Sequence, residues 1–342
     1  MSEVRAKKAL GQHFLVDLNI ARKICDALSG GVRPEAGAET RAVAAGSADA
    51  DAETRTRVAG YAGAGAEART KATGTADADA ETRRGVAASA DARLAADTTA
   101  AGAPAAAEEE RSGAVPCDVL EVGCGMGVLT QFLLRRGDIT TYGAEIDPES
   151  VEYLHAHFPE FAPRLIEGDF LKMNLRERFP RGLKIIGNFP YNISSQIFFK
   201  VLEHRDLVPE CVGMIQKEVA VRIAEPPGSK EYGILSVLLQ AWYDIEYLFT
   251  VNETVFNPPP KVKSAVIRLR RNSVGRLGCD EALFVKVVKA SFGQRRKMIR
   301  NSLRAVFGDF GGAEHPFFTQ RAEQLSVADF VQLTNWVAAN RK

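Results

Sequence analysis

KIIGNFPYNISSQIFFK, residues Lys184–Lys200, is the stretch that decides the fold. Its apolar opening, with Ile185 and Ile186, is typical of a short buried strand. The turn signal Gly187-Asn188 follows, and then the rest of the tetrapeptide NFPY at 188–191. We therefore expect Asn188, Pro190 and Tyr191 to lie in a loop at the carboxyl end of a strand. This is the edge at which open α/β sheets bind their ligands.

A helix is predicted directly after this loop. Ser194 and Ser195 are candidate caps for its first turn. Its apolar residues are expected to share one face: Ile197, Phe198, Val201 and Leu202.

The tetrapeptide suits attack by an exocyclic amine such as N6 of adenine, whose lone pair is delocalised into the ring. The side-chain oxygen of Asn188 and the carbonyl oxygen of Pro190 can accept both amine hydrogens, which turns the lone pair toward a methyl donor. Tyr191 offers a flat face for a base taken out of its stack. The alternative interpretation of the tetrapeptide is a simple turn with a packed aromatic side chain.

A second pattern indicates a nucleoside cofactor. Asp118–Val122 is predicted to be a strand, Gly123–Gly127 a glycine-rich turn, and Val128–Arg136 a helix. A further strand, Thr140–Ala144, leads to Glu145, which follows Gly123 by the distance at which an acid meets ribose hydroxyls in dinucleotide-type folds. The turn reads E-x-G-x-G-x-G, which favours S-adenosylmethionine over a dinucleotide with a pyrophosphate.

Asp169 is predicted to end a third strand within Arg164–Phe170, where its carboxylate can accept from the adenine amine of the cofactor. The alternative is an aspartate that caps a turn. His155 and His157 lie two residues apart on a predicted helix, so they point to different faces and indicate no metal site.

Residues 31–114 differ in composition from the rest of the chain. Large apolar side chains are almost absent, and the pattern Ala-Glu-x-Arg recurs every 14 residues, with ADADAETR intact at 48–55 and at 76–83. No heptad seam of apolar residues supports a coiled coil. We expect this segment to be largely disordered, because it cannot bury enough apolar surface to offset its ordering entropy.

Composition limits the remaining possibilities. The formal net charge is +1, so affinity for nucleic acid must come from local patches. The five cysteines include no C-x-x-C pair, which favours free thiols in a reducing compartment. The N-terminus lacks the apolar core of a signal peptide, and no apolar run is long enough for a membrane helix, so we expect a cytoplasmic protein.

The two ends of the chain carry basic residues. Residues 1–11 are expected to be a flexible basic arm, followed by a helix that Asp17 caps. The tail, 272–342, is predicted to be helical, and its segment 284–304 carries seven cations and no acid. Arg296, Arg300 and Arg304 are spaced by four and would share one helix face, which indicates a phosphate-binding surface.

The motifs together resemble those of the ribosomal RNA adenine N6,N6-dimethyltransferases, and most closely those of the bacterial 16S type. The similarity covers nearly everything outside the 31–114 insertion. Its motifs are LGQHFL at 10–15, EVGCGMG at 121–127, EID at 145–147, EGDF at 167–170, NFPY at 188–191, VFNPPPKVKSAV at 255–266 and FGQRRKMIRNSL at 292–303. Phe189 departs from the family, which usually has an aliphatic residue there.

The resemblance implies a Rossmann-like, S-adenosylmethionine-dependent α/β domain at 115–271, completed by an arm and first helix at 1–30. It also implies a small all-α RNA-binding domain at 272–342. The family's cofactor-binding positions correspond here to His13, Leu15, Gly123, Glu145, Asp169 and Asn188. The expected catalytic residues are Asn188, Pro190, Tyr191 and Phe256, and Phe256 would form a sandwich around the base with Tyr191. The expected RNA-binding residues are Arg295, Arg296, Lys297, Arg300 and Arg304.

The implied reaction is dimethylation at N6 of two adjacent adenines in a hairpin loop near the 3′ end of 16S rRNA, by a monomer that needs no metal. The 30S subunit is the expected partner, and a role in its biogenesis is expected too. Two alternatives stay open, namely dimethylation of an adenine in 23S rRNA and an RNA-binding assembly factor without a required activity.

Overall fold

A computed structural model of the chain describes residues 4, 6–7, 10–30 and 116–341. The 31–114 insertion therefore lies outside the described residues, and its predicted disorder stays a prediction. Among the described parts, no helix has both the length and the apolar character needed to cross a membrane.

A seven-stranded sheet forms the centre of the molecule. Its strands, in chain order after the short β1 at Phe14–Leu15, are β2 Cys117–Val122, β3 Ile139–Glu145, β4 Leu165–Glu167, β5 Lys184–Asn188, β6 Glu210–Gln216, β7 Tyr243–Val251 and β9 Ser264–Arg271. Their order in space is β4-β3-β2-β5-β6-β9-β7, and the first five are parallel. The remaining two pair antiparallel. This mostly parallel α/β sheet confirms the predicted Rossmann-like fold class.

Helices cover both faces of this sheet. They are α1 Leu18–Ala27, α2 Thr130–Leu133, α3 Pro148–His157, α4 Leu175–Arg178, α5 Ser194–Glu203, α6 Lys217–Ala224 and α7 Ile234–Gln240. One apolar cluster joins α1 to the sheet residues Val119, Ile186 and Val266, and another lies on the opposite face. Strands β5 and β6 are buried over nearly their whole length, and their middle residues are apolar or glycine.

The tail consists of α8 Glu281–Gly293, α9 Ile299–Phe307 and α10 Val327–Asn340. Their apolar residues Phe284, Leu303 and Leu333 belong to the same buried cluster as Ile197 of α5. The last strand of the sheet ends at Arg271, the hydrophobic core continues across this point, and a separate domain at 272–342 stays a prediction.

Three local predictions were wrong. Ser194 is the first residue of α5, Ile193 takes the cap position, and the Ser194 hydroxyl donates to the Tyr191 carbonyl. The helix predicted at 128–136 is regular only over Thr130–Leu133, because an i→i+3 hydrogen bond tightens its end. The strand predicted at 164–170 is only Leu165–Glu167, since the chain turns at Gly168 with φ +139°.

The amino-terminal edge of the sheet holds the chain on both sides of the insertion. Ser29 donates through its backbone N–H and its hydroxyl to Glu210, the first residue of β6. Lys184, the first residue of β5, donates to the Ser29 carbonyl at 2.9 Å and pairs with Glu210 at 3.0 Å. Beyond the insertion, the chain re-enters this same edge at Cys117, where β2 begins.

Candidate active site

A pocket opens at the carboxyl edge of the sheet, opposite the ends of the insertion. It is lined by the glycine turn after β2, the acidic end of β3, the loop after β5 and the arm before β1. Among its lining residues are eight of the nine predicted cofactor and catalytic residues: His13, Leu15, Gly123, Glu145, Asp169, Asn188, Pro190 and Tyr191. The topology thus brings together residues that lie up to 178 positions apart in the sequence.

The glycine turn is folded onto the carboxylate of Glu145. Gly125 has φ +53°, a conformation that favours glycine, and its N–H donates to Glu145 Oε2 at 2.8 Å. The N–H groups of Ile146 and Asp147 donate to the other carboxylate oxygen, also at 2.8 Å. Burial raises the pKa of Glu145, and these three backbone N–H groups oppose that shift. The carboxylate is therefore fixed in place, with one lone pair left on Oε2 for a hydroxyl donor.

Glu121 is a second buried carboxyl in the pocket wall, and it is only 1% exposed. Its Oε2 accepts from the Thr130 hydroxyl at 2.6 Å. Burial raises the pKa of Glu121 to about 8, because the hydrogen bond to Thr130 only partly offsets desolvation and nearby Glu145 adds to the shift. At neutral pH this carboxyl holds its proton.

Asp169 lies two residues beyond β4 rather than at its end. It caps a 3-10 turn, Phe170–Lys172, with its Oδ1 accepting from the Leu171 N–H at 2.9 Å. The alternative weighed from the sequence, a turn-capping aspartate, is thus confirmed. The side chain still lines the pocket, and Oδ2 has only a distant cation, Lys172 at 3.9 Å.

The orientation of the Asn188 amide is set by the arm. Its Nδ2 donates to the backbone carbonyl of His13 at 2.9 Å, and among the described residues no hydrogen bond involves its Oδ1. The Pro190 carbonyl accepts one hydrogen bond, from the Ile193 N–H at 3.1 Å, which leaves one lone pair. The two oxygens that the sequence analysis assigned to an amine are therefore each able to accept one more hydrogen.

Tyr191 is half-buried beside Asn188. Its hydroxyl and that of Ser264, the first residue of β9, lie 2.5 Å apart, and its ring is 5.3 Å from the ring of His13. Burial raises the pKa of Tyr191 in spite of the Ser264 contact, so the phenol stays neutral. The hydroxyl contact holds the ring at the pocket wall.

Phe256 does not lie where the sequence analysis expected it. It is 3% exposed and lies in β8, Phe256–Asn257, which pairs antiparallel with β1. Its neighbours are the buried apolar residues of the α1 cluster, such as Leu15 and Val266, and it is absent from the pocket wall. Its pairing with Leu15 keeps the ring in the core, so the expected open face for a base is not present.

Phe189, the departure from the family pattern, is buried against one glycine of β5 and one glycine of β6. A Cβ placed on Gly187 would lie 2.9 Å from its ring, and one placed on Gly213 would lie 2.5 Å away. These glycines face each other across β5 and β6. The aromatic ring is accommodated because both neighbouring positions lack a side chain.

The tail cations do not form the single helix face that was predicted. α8 ends at Gly293 and α9 begins at Ile299, so Arg296 lies in the turn between them, apart from Arg300 and Arg304. Arg300 pairs with Glu314, and Arg304 pairs with Asp309 at 3.2 Å. Arg295 donates to the carbonyls of Lys230 and Tyr232. Among the described residues, Arg296 and Lys297 are exposed and have no ion-pair partner.

His155 and His157 do not form a metal site with each other. His157 stacks on Tyr153, with ring centroids 3.8 Å apart, and His155 contacts Glu167 at 3.3 Å. Within the described parts of the chain, no group of three or more histidine, cysteine, aspartate or glutamate residues is arranged to hold a metal ion.

Comparison with known proteins places these features in context. The family model described as "Ribosomal RNA adenine dimethylase" matches residues 116–339. A "Ribosomal RNA small subunit methyltransferase A" of Parabacteroides distasonis is 61% identical over 218 residues, which are 63% of this chain and 81% of that protein. The protein of the same name from Porphyromonas gingivalis is 59% identical over 220 residues, covering 63% and 84%.

Among solved structures, a dimethyladenosine transferase from Plasmodium falciparum resembles the chain with a TM-score of 0.55 and 25% identity. The match covers 65% of this chain and 90% of that one.

Proposed function

Because this chain belongs to the ribosomal RNA adenine dimethylase family and is thus an S-adenosylmethionine-dependent rRNA methyltransferase, we propose that it dimethylates N6 of two adjacent adenines of 16S rRNA. The adenines lie in a hairpin loop near the 3′ end of that RNA, within the small ribosomal subunit. The observation that carries the proposal is the Asn188 amide, whose nitrogen is tied to His13 while its oxygen is left to accept from a substrate.

The pocket has the donors and acceptors that a nucleoside methyl donor requires. Glu145 offers its fixed Oε2 to a ribose hydroxyl, and Asp169 offers Oδ2 for an exocyclic amine. Gly123, His13 and Leu15 complete the wall around these two acids. Bound in this pocket, S-adenosylmethionine supplies an electrophilic methyl group on its sulfonium.

Asn188 and Pro190 act on the nucleophile. The Asn188 Oδ1 and the free lone pair of the Pro190 carbonyl accept the two hydrogens of the adenine amine in the first transfer, and one of them accepts the single remaining hydrogen in the second. The proton that N6 loses at each transfer is released to solvent. The nitrogen lone pair is then directed toward the donor side of the pocket, and these oxygens are in place before reaction begins. Much of the reduction in barrier comes from this positioning.

Tyr191 supplies the stacking face for an adenine taken out of its stack. The Ser264 contact holds the ring, so little conformational entropy is lost when a base stacks on it. We assign base stacking to Tyr191 alone, since the Phe256 ring has no open face.

RNA outside the pocket is held by cations of the tail, and Arg296 and Lys297 are the best placed because no acid neutralises them. The protein acts as a monomer without a metal, and its ribosomal substrate places it in the cytoplasm and in small-subunit biogenesis. Two relatives are named as small-subunit enzymes, which favours 16S over 23S rRNA.

Mass spectrometry of isolated small subunits tests the proposal. Particles that lack the modification are incubated with the protein and S-adenosylmethionine, and nuclease digests of their RNA are compared with digests of 23S rRNA treated in parallel. We expect two N6,N6-dimethyladenosines in one 16S fragment and none in 23S rRNA. Methylation of 23S rRNA alone would overturn the assignment. Absence of methylation from both, with subunit binding intact, would leave the assembly factor as the better hypothesis.

A further inference from the structure

The N-terminal arm contacts the acidic end of β3 through Lys7, and its residues 10–15 line the pocket as far as the loop after β5. At one end the ammonium of Lys7 binds Asp147 and lies 3.0 Å from Glu149. At the other end the His13 carbonyl accepts from Asn188. Beyond it, β1 pairs with β8. The segment expected to be flexible, residues 1–11, is thus attached to one side of the site through Lys7, and the chain that follows it is attached to the other side through His13.

The Lys7 end of the arm is built around a buried acid. The Asp147 side chain is fully buried, whereas that of Lys7 is 36% exposed. Burial alone would raise the pKa of Asp147, but Lys7, Ser150 and Gln12 more than offset this and hold it below its ordinary value. An isolated buried carboxylate is costly, so Asp147 requires this cation.

The arm is also folded onto itself between its two attachments. The Lys7 N–H donates to Gln12 Oε1 at 2.8 Å, and the Leu10 N–H donates to the Lys7 carbonyl at 3.0 Å. Gln12 Nε2 reaches Asp147 Oδ2 at 3.4 Å. A displacement of Lys7 therefore moves Gln12, and with it the neighbouring His13 carbonyl.

The far end of the arm is in close contact with the NFPY loop. A Cβ placed on Gly11, whose φ is +64°, would lie 2.6 Å from the Asn192 side-chain oxygen. His13 Nδ1 lies 2.9 Å from the Pro258 carbonyl. The His13 carbonyl is consequently held where it fixes which way the Asn188 amide points.

We propose that Lys7 and Asp147 are positioning residues for methyl transfer, acting through the arm on the Asn188 amide and on the wall of the donor pocket. The proposal rests on the function proposed above. Glu145 links the two effects, because its carboxylate accepts from the Asp147 N–H and belongs to the donor pocket. One ion pair thus couples the donor pocket to the residue that orients the nucleophile.

Lys7→Met tests the proposal, and Lys7→Arg, which keeps the charge, serves as the rescue variant. The matched control is Arg176→Met, which removes an exposed cation paired with Asp206 at 2.7 Å, away from the pocket. Binding of S-adenosylhomocysteine is measured by calorimetry, thermal unfolding by calorimetric scanning, and methylation by single turnover with saturating donor and small subunits.

We expect Lys7→Met to bind S-adenosylhomocysteine roughly tenfold more weakly, as loss of one charge-assisted contact predicts. Its single-turnover rate should also fall about tenfold at saturating donor, measured at a temperature below the unfolding midpoint. That midpoint should fall further than in Arg176→Met, because the variant leaves Asp147 buried without its cation. Lys7→Arg should recover both properties.

Two results would overturn the positioning role. One is a Lys7→Met variant that matches the wild type in ligand binding and in rate. The other is weaker ligand binding with an unchanged saturated rate, which would confine Lys7 to the donor pocket. Methylation by the wild type under the same conditions tests the proposed function separately, so the failure of one idea is distinguishable from the failure of the other.

Discussion

At the scale of single residues, the nitrogen and the oxygen of the Asn188 side-chain amide differ in their hydrogen bonding. Its nitrogen is bound by the chain, and its oxygen has no hydrogen bond among the described residues. A side chain held this way resists the rotation that would offer the wrong atom to an amine. Asn188 is therefore expected to affect the chemical step more than the binding of RNA.

Asn188→Ala should lower the single-turnover methylation rate by on the order of a hundred- to a thousandfold, the usual effect of removing one preorganised hydrogen-bond partner. Binding of small subunits should persist. A single-turnover rate near that of the wild type for Asn188→Ala would reduce the NFPY loop to a structural turn.

Tyr191→Phe keeps the stacking face and should retain substantial activity, whereas Tyr191→Ala loses about 1–3 kcal/mol of base stacking.

Phe189 gives a second prediction, which concerns stability. Gly213→Ala should destabilise the protein by about 1–3 kcal/mol, because the new methyl group overlaps the Phe189 ring. Phe189→Leu should cost less, and in the Gly213→Ala background it should recover part of the loss. Gly137→Ala is the control, since an added Cβ there meets no atom within 4 Å. Strictly additive free energies of unfolding in the double variant would contradict this account.

Glu121 should make stability depend on pH. Its pKa rises from an ordinary value of 4.5 to about 8 in the folded state, so between these values the native protein holds a proton that the unfolded chain has released. Stability contributed by Glu121 should therefore fall as the pH rises from about 4.5 to 8, and level off above that. The difference in unfolding free energy between wild type and Glu121→Gln, measured at pH 6 and pH 8.5, should shift in favour of the variant at the higher pH. An unchanged difference would mean that Glu121 is ionised in the folded protein.

At the scale of elements, the tail shows that ion pairs reduce the number of cations available to bind phosphates. Arg300 and Arg304 are matched by Glu314 and Asp309, which lie later in the chain than the basic segment. The turn between α8 and α9 instead presents Arg296 and Lys297 without such partners. The surface available to phosphates is therefore smaller than the sequence implied.

Arg296→Gln with Lys297→Gln should weaken small-subunit binding and reduce the salt slope by roughly one to two, because fewer counterions are released. Arg300→Gln with Arg304→Gln is the matched comparison and should have a smaller effect, since these charges are already offset by Glu314 and Asp309. Donor affinity should not change in either variant. Equal losses in the two variants across a salt series would show that ion pairing does not decide which cations meet RNA.

The elements that could be predicted from the sequence are those with a strong local signal. β5 and its loop, the glycine turn and the strands around it were found because apolar runs end in special residues at the sheet edge. Contacts between distant segments had no such signal. Neither Lys7 beside Asp147 nor Tyr191 beside Ser264 is visible in the spacing of any motif. The same holds for the burial of Phe256, which depends on its pairing with Leu15.

At the scale of the whole molecule, the two edges of the sheet have different functions. The carboxyl edge forms the pocket. The amino edge contains Ser29 and Cys117, and the insertion lies between these two residues in the sequence. A buried network of Lys184 and Glu210 fixes the chain just before it leaves this edge. The active site therefore lies at the opposite end of the strands from Ser29 and Cys117.

Replacement of residues 31–114 by a short Gly/Ser linker should leave the melting temperature and the methylation rate nearly unchanged. The physical reason is the insertion's poverty in apolar residues and the anchoring of both its ends in the described fold. Thermal scans and single-turnover assays of the linker variant check this. A collapse of either property would show that the insertion contributes to the fold or to the reaction.

The position of the insertion in the chain also affects how its coding sequence can change during evolution. A repeat of 14 residues is a whole number of codons, so slippage during replication adds or removes units without disturbing the reading frame. Ser29 and Cys117, on either side of the insertion, lie at the edge of the sheet away from the pocket. Selection for methylation should therefore constrain the number of repeat units only weakly. Sister lineages should consequently differ in repeat count while the residues of the pocket stay the same.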